Sequence, residues 1–558
     1  MKSEYFHTKM GNRFGGKIDI KPRHIKLSLV DLLVLLLFSA FGICYKLHPS
    51  AVADVEFYKI VTVAFVYSIG RIVIPQAPKH IGWLILIVAT VWCCYETVLG
   101  LMQVFGGCKS NHMLYACTGT FFNPGPFGGF LSVCLSLLAA SFTVTKSKIW
   151  HYVAGTTIFV VVIILPSTMS RSGLLGLGCS MAVLTLSIEK YRNFIKKYWY
   201  AVLLASVIVG AGAYMFKKNS ADGRFFMNKI SAQAMLGNGL TGAGLGAFTG
   251  AYGRQQHDYF AAQARFGNGD IDISDINEKD RLICDSPELQ FNEYLRIGVE
   301  AGPIAMLLFV ALIMLAVIRL LKQKSPFAYG LITFSVFALF SYPLYIFDFQ
   351  LVLAVFLAFA AMSNGKGNIV GTSICIVAFL LLSLLFSTQN LANKSRCLAK
   401  AKWAKTEDWY KKGYFNYAVE DGDSLISNLQ HDFIFLYEYG TSLNKENNYS
   451  KSDSILMLGS SICSNPIFWM EMGNNSLAQG NYREAEERYR HAFLMVPNRL
   501  RPLCFLAKLY DSECDTMKFL NIAKQIEEFN PKIESETTKK LRSEINDLKS
   551  KYIQSHEF

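Results

Sequence analysis

Long polar stretches are what this chain most lacks. Charged side chains make up only 17% of its 558 residues against 52% hydrophobic, and mean hydropathy is +0.27, a balance too apolar for a soluble protein. One long polar segment, 217–302, stands among the hydrophobic runs. Metal-type CxxC pairs are absent. The thirteen Cys fall mostly inside apolar runs, as at Cys44, Cys93, Cys94, Cys134, Cys179 and Cys375, where cysteine serves as a small hydrophobe. No disulfide framework is implied, although Cys108 and Cys117 share one loop and form a candidate pair. The basic N-terminus, with Lys2, Lys9, Arg13 and Lys17 among its cations, precedes an apolar segment that no small-residue cleavage site follows. That favours a retained first span over a signal peptide.

What the chain has in quantity is apolar runs, each near the ~20 residues that a ~30 Å hydrocarbon layer demands of a helix. Spans are expected at 27–45, 57–74, 81–101, 127–142, 152–165, 174–188, 198–216, 302–321, 327–342, 346–362 and 369–386. The expected fold class is all-α: a polytopic membrane helical bundle of about 11 spans. A basic tail (1–26), a membrane domain (27–386) with a loop at 217–301, and a helical appendage (387–558) follow from this division. The formal charge of +13 lies mainly in short loops and around 394–412, a topological pattern rather than a nucleic-acid surface. Cation-rich short loops are retained in the cytoplasm. By that count the N-terminus is cytoplasmic, while the polar loop and the C-terminal region lie outside. The alternative shifts one span near Pro343 and puts the C-terminal region inside, where Lys394, Arg396, Lys400, Lys402 and Lys405 would sit more comfortably.

After residue 387 a repeat of about 31–34 residues emerges, the period of tetratricopeptide helix pairs. Its clearest copy carries Trp469, Gly473, Tyr482, Ala485, Tyr489, Ala492 and Pro497. Small residues let paired helices approach, aromatics fill between them and proline ends the pair. Such arrays expose a groove for partner proteins; a structural cap is the alternative.

The chemistry-bearing residues gather around the polar loop, whose charge is nearly balanced at nine Lys and Arg against eleven Asp and Glu. Arg171 and Arg224 lie at the same expected membrane surface. Arginine suits a diphosphate there, with permanent charge and a planar fork for phosphate oxygens; snorkelling to lipid headgroups is the alternative. At this point the segments TGTFFNPGPFGGFL (from Thr118), SRSGLLGL (from Ser170), GRFF (from Gly223), GAGLGAF (from Gly242) and FNEYLRIGVEAGPIAML (from Phe291) resemble, in order and spacing, the signature segments of the O-antigen ligase and polymerase superfamily of bacterial membrane glycosyltransferases. The resemblance covers roughly 27–386. It implies transfer of a glycan from an undecaprenyl-diphosphate carrier to an acceptor hydroxyl on the external face, without metal, cofactor or nucleotide sugar. By position, Arg171 and Arg224 look like the arginines that grip the diphosphate, with Arg296 as a further candidate that also has acids near it to pair with. Asn123, Asn292 and Glu293 fall in the matching segments as glycan or acceptor contacts. The family's histidine before Asn-Glu is replaced here by Phe291; if that histidine is the base, either another group serves in its place or this chain works differently.

The candidate bases are Asp285, Glu288 and His257. A helix starting near Ser286, with Pro287 in its first turn, would set Glu288 and Asn292 four apart on one face, and partial desolvation would raise a carboxylate's pKa. The structural alternative makes Asp285 or Ser286 a cap and Glu288 a dipole partner. The glycines at 237–246 lack the strand-helix context of a nucleotide site and read as tight backbone packing. Asp270, Asp272, Asp275, Glu278 and Asp280 do not match a calcium loop, having Asp275 where Gly and Arg281 where Glu is required. Glu96 and Asp348 are charges at membrane depth, expected either to line the cleft or to pair with Arg71 or Lys59. The acceptor is open between a lipid core, a growing glycan and a protein. Expected partners are the lipid-linked donor, that acceptor, membrane lipids and a protein held by the repeats, with no nucleic acid. A flippase of lipid-linked glycans, or a membrane-anchored repeat scaffold, is the alternative reading.

Overall fold

The computed structural model describes residues 24–200, 218–264, 266–267, 270–271, 273–362 and 367–556. It is helical apart from a two-residue antiparallel pair, Phe266–Gly267 with Asp270–Ile271. In chain order the membrane helices begin with α1 (Leu29–Leu47), α2 (Ala51–Val73), α3 (Pro78–Val104), α4 (Pro124–Ser141), α5 (Lys148–Ile164) and α6 (Arg171–Ser187). A short α7 (Glu189–Lys197) follows, and then the polar-segment helices α8 (Lys218–Gly237), α9 (Phe248–Ala261) and α10 (Glu278–Ile283). The chain returns through α11 (Glu293–Lys322), α12 (Phe327–Leu339), α13 (Phe347–Ala360) and α14 (Ile369–Lys411). Among the described residues, seven of these are long and apolar enough to cross a membrane: α1 to α5, α11 and α14; α6, α12 and α13 are shorter apolar helices. The chain is a multi-pass membrane protein. The span expected at 198–216 lies largely outside the described residues.

Burial sorts these helices. The hydrophobic window of α4 is 89% buried and that of α14 only 11%, so α4 is the central post and α14 a peripheral one. Small residues on α4 allow this. Gly128 and Ser132 meet Gly173 of α6, Gly129 meets the Phe337 ring of α12, and Ser136 shares a 2.5 Å hydrogen bond with Thr333. Close approach through small residues and interhelical hydrogen bonds is how helices associate where lipid removes the hydrophobic drive. On α3, Leu84, Val88 and Val91 are more than half exposed, the surface expected to meet acyl chains.

At one end of the bundle Asp31 links α1 to α2. It closes a capping box with Ser28, accepts from Arg71 at 2.6 Å and from the Tyr67 hydroxyl at 2.7 Å. Arg71 therefore pairs with Asp31 and Lys59 with Glu56. Glu96, expected to seek one of these cations, instead accepts from the backbone and hydroxyl of Thr120 at 2.9 and 2.5 Å. Ile25 donates its backbone N–H to Thr372 at the start of α14, so the N-terminal segment and the start of α14 share this end. Cys108 and Cys117 are unbonded, and each thiol lies instead near a backbone carbonyl, of Leu99 and Gly100 respectively.

The opposite, loop-side end is built around a break in α11. Gly302 has φ +88°, outside helical geometry, and Pro303 follows it. Proline has no N–H to give to the carbonyl four residues back, and the orphaned acceptors are met by the glycine loop. Ala243 donates to Val299 O at 2.8 Å and Gly244 to Glu300 O at 2.9 Å. Gly242, Gly244 and Gly246 all have positive φ.

The C-terminal region continues from α14 through α15 (Phe415–Leu429), α16 (Phe433–Lys445), α17 (Tyr449–Ile462), α18 (Ile467–Ala478), α19 (Tyr482–Met495), α20 (Arg501–Ser512), α21 (Thr516–Glu528) and α22 (Glu536–His556). Consecutive helices pack on one another through glycine and ring contacts, as where Gly473 faces the buried Tyr489 ring and Gly459 faces Phe468. The array does not hang free. Its α19 to α22 share a core with α8 and α9, in which Phe248, Tyr252 and Phe260 pack with Tyr489, Phe493 and Met495, and α17 also packs on α9. The polar loop and the C-terminal helices therefore lie on the same side of the bundle.

Candidate functional site

The site forms where α4, α6, α8 and the turns before α11 and α13 meet. Asn123 caps α4, accepting from Gly125 N at 3.0 Å. Ser170 is buried and donates to Gly125 O at 2.8 Å, which ties the start of α6 to that cap and sets Arg171, the first residue of α6, beside it. Arg224, in the second turn of α8, donates to Phe340 O at 2.9 Å. Its guanidinium lies 4.4 Å from the Phe291 ring centre, a cation–π contact of about 0.5–2 kcal/mol depending on desolvation. Tyr342 meets the Phe291 ring edge-on at 5.2 Å and stacks on Phe122 at 6.2 Å.

Two positive charges are held together here. Burial first, and the charge of Arg171 second, hold the Arg224 guanidinium below its ordinary pKa. Burial pushes the Tyr342 phenol up to about 12, against the opposing pull of Arg224, so it stays a neutral hydrogen-bond donor. An arginine lying on an aromatic ring with a second arginine nearby suits a multiply charged anion attached to a flat or apolar group. Neither a scan against protein-family models nor a search of curated proteins gives a match to this chain. The reading of the site therefore rests on its own geometry.

Arg296 is elsewhere. It lies on α11, 6% exposed, bound to Glu293 at 2.7 Å and Glu300 at 3.3 Å and 4.0 Å from Glu56, with its face 4.5 Å from the Tyr345 ring centre. Glu293, wholly buried, also accepts from Leu344 N at 2.5 Å. This pairing makes Arg296 a brace between α11 and the turn 343–345 rather than a third arm of the arginine cluster. Asn292 is the N-cap of α11, accepting from Tyr294 N and Leu295 N at 3.1 and 3.2 Å.

The expected helix from Ser286 does not form: α11 starts at Glu293, and 284–292 is non-helical. Asn292 offers the better cap because the continuous apolar pattern begins immediately after it, so Glu288 and Asn292 do not share a helix face. Of the three candidate bases, two serve the interface with the C-terminal array. Asp285 is bound to Lys532 at 2.9 Å, with Arg499 at 3.9 Å; burial would raise its carboxyl, but these cations outweigh it and hold it below the usual range. The His257 ring stacks on His491 at 3.8 Å, which in turn lies on Trp469 at 3.7 Å. Glu288 is exposed on the segment leading to Phe291, with no ion pair among the described residues. Tyr342 and Phe122 were not singled out from sequence. Tyr342 stands at an expected span end and Phe122 in the aromatic-rich loop 108–127, which from sequence reads either as a sugar-stacking wall or as interfacial anchoring.

Proposed function

We propose that the chain is a membrane glycosyltransferase that moves a glycan from an undecaprenyl-diphosphate carrier to an acceptor hydroxyl on the loop side of the membrane. The observation that carries this reading is Arg224 lying over the Phe291 ring, which Tyr342 meets edge-on, with the charge of Arg171 close enough to act on it at the loop-side end of the bundle. Four segments distant in sequence, around Asn123, Arg171, Arg224 and Phe291, supply that one place. The acceptor oxygen attacks the anomeric carbon, the bond to the diphosphate oxygen breaks, and Arg171 and Arg224 stabilise the charge that develops on the leaving group. The acceptor proton passes to Glu288, the candidate carboxylate with no ion pair.

In this reading the loop side is periplasmic, the N-terminus cytoplasmic and the membrane the bacterial inner membrane. The chain crosses about 11 times, a count whose described part is the seven long helices and the three short apolar ones. The C-terminal array is a tetratricopeptide-like module that presents an acceptor or a partner protein. Its shared core with α8 and α9 puts it next to the arginine site, which supports that role over a remote scaffold.

Purified protein incubated with undecaprenyl-diphosphate oligosaccharide, chelator and candidate acceptors (lipid A core, a second glycan carrier, periplasmic protein) tests this. Transfer is expected, lowered on the order of 10²-fold by either Arg171→Ala or Arg224→Ala, the scale of losing one preorganised anion-stabilising group. Folded wild-type protein that glycosylates none of the acceptors would overturn the reading.

A further inference from the structure

Between α1, α2, α11 and α13 the helices line a slot of about 140 Å3 with an open side, away from the arginine pair. Its walls are apolar, with Val34, Ala64, Leu312 and Leu357 among them. It runs along the helices: on α2 the lining extends from Glu56 to Tyr67, roughly 16 Å at 1.5 Å per residue. The lower end stops at Tyr67, whose hydroxyl is held by Asp31.

The loop-side end is polar in a particular way. Glu56 and Lys59 pair at 2.5 Å, and Arg296 is shared among Glu293, Glu300 and Glu56. Three carboxylates thus face two cations, a formal excess of one negative charge. Gln350 lines the same end at 6% exposure. Its Nε2 donates to Leu344 O at 2.6 Å, which fixes the orientation of the amide and leaves Oε1 without a hydrogen-bond partner. A buried acceptor with no donor is costly, and it marks what a ligand must bring.

The slot therefore calls for a hydrocarbon chain, and its mouth for a head that donates hydrogen bonds and carries positive charge. We propose that it binds the head-proximal methylenes of one chain of an amine-headed membrane lipid, with the ammonium at Gln350 Oε1 and the carboxylates of Glu56 and Glu300. A diphosphate head is disfavoured at this mouth by like charge, so this lipid is not the carrier held by Arg171 and Arg224. The proposal stands apart from the glycan-transfer reading.

Native mass spectrometry of the full-length protein in mild detergent tests it, with phosphatidylethanolamine and phosphatidylglycerol of equal chain length in competition. One phosphatidylethanolamine is expected to stay bound and to raise Tm as it is titrated, while phosphatidylglycerol does neither. Ala64→Phe, which fills the slot, abolishes retention. Gln350→Leu, which removes the free acceptor without filling the slot, weakens it about fivefold, the scale of one buried hydrogen bond. Leu84→Ala, on the exposed face of α3, leaves it unchanged. Equal retention of the two lipids by wild type, or wild-type affinity in Gln350→Leu, would overturn the proposal even if Ala64→Phe does not fold.

Discussion

Replacing Gly302 with alanine would strike the junction on which the loop side depends. The backbone there, φ +88° and ψ 165°, lies in a region that is essentially glycine-only and costs a side-chain-bearing residue about 1–3 kcal/mol. The added Cβ would also fall on the carbonyl group of Leu240, so the glycine loop must move. Moving it breaks the bonds from Ala243 to Val299 O and from Gly244 to Glu300 O, stranding the Val299 carbonyl at about 1–3 kcal/mol and leaving Glu300 O with the Cys44 thiol alone. The sum is roughly 2–6 kcal/mol, from the upper part of the 0.5–3 kcal/mol of an ordinary substitution to well beyond it. Two measurements read it: thermal unfolding in detergent, and thiol labelling of Cys44, whose buried Sγ donates to Glu300 O at 3.3 Å. Gly302→Ala should lower Tm and raise Cys44 labelling toward that of exposed Cys514. Gly178→Ala, in α6 with nothing within 4 Å of the new methyl, should be neutral or gain up to ~1 kcal/mol from helix propensity. A Gly302→Ala protein with wild-type Tm and a protected Cys44 would refute the reasoning.

Other expectations concern the site and the docked array. Arg224→Lys keeps the charge but loses the planar fork, so transfer should fall nearly as far as in Arg224→Ala; full activity in the lysine variant would mean that charge alone suffices. Burial, and then the neighbouring His257, lower the His491 pKa to about 3. The unfolded state, near 6.5, binds the proton first, so this histidine's stabilising contribution is complete above pH 6.5 and is lost as pH falls from there toward 3, by a few kcal/mol at most. Proteolytic release of the array should rise with acidification over that window, and His491→Gln should flatten the profile. Gly250→Val would drive a side chain into the backbone at Ser461 and should loosen the array at neutral pH, read as faster cleavage near residue 465; an unchanged digest would count against the docking geometry.

Hydropathy made the long helices legible, because lipid-crossing length and composition leave a strong local signal, and Pro343 marked the turn between α12 and α13. The glycines at 242–246 were readable as close backbone packing, but what they pack against was not. That Ala243 within this loop supplies the donor that Pro303 lacks is a contact between residues ~60 apart in sequence, which no local pattern encodes. The start of α11 was misplaced because Ser286-Pro287 and Asn292 are both good start signals, and only the helix pattern beyond decides between them. Arg171 and Arg224 could be picked out by residue type, whereas the engagement of Asp285 and His257 by Lys532 and His491 depends on the C-terminal array folding back. Cys108 and Cys117 share a loop, yet each thiol faces a different carbonyl of α3.

The α14 helix runs unbroken for 43 residues, roughly 65 Å at 1.5 Å per residue, and is braced to α2 by Arg396 and Asp54 at 3.0 Å. It enters the array from one end while α9 grips the array's middle. With a stiff mast below and a second point of attachment beside it, the array is a strut and not a pendulum. Its height above the bilayer is set by helix geometry, so anything it presents arrives at a fixed distance from the membrane surface, as a part arrives under a tool on a rigid arm.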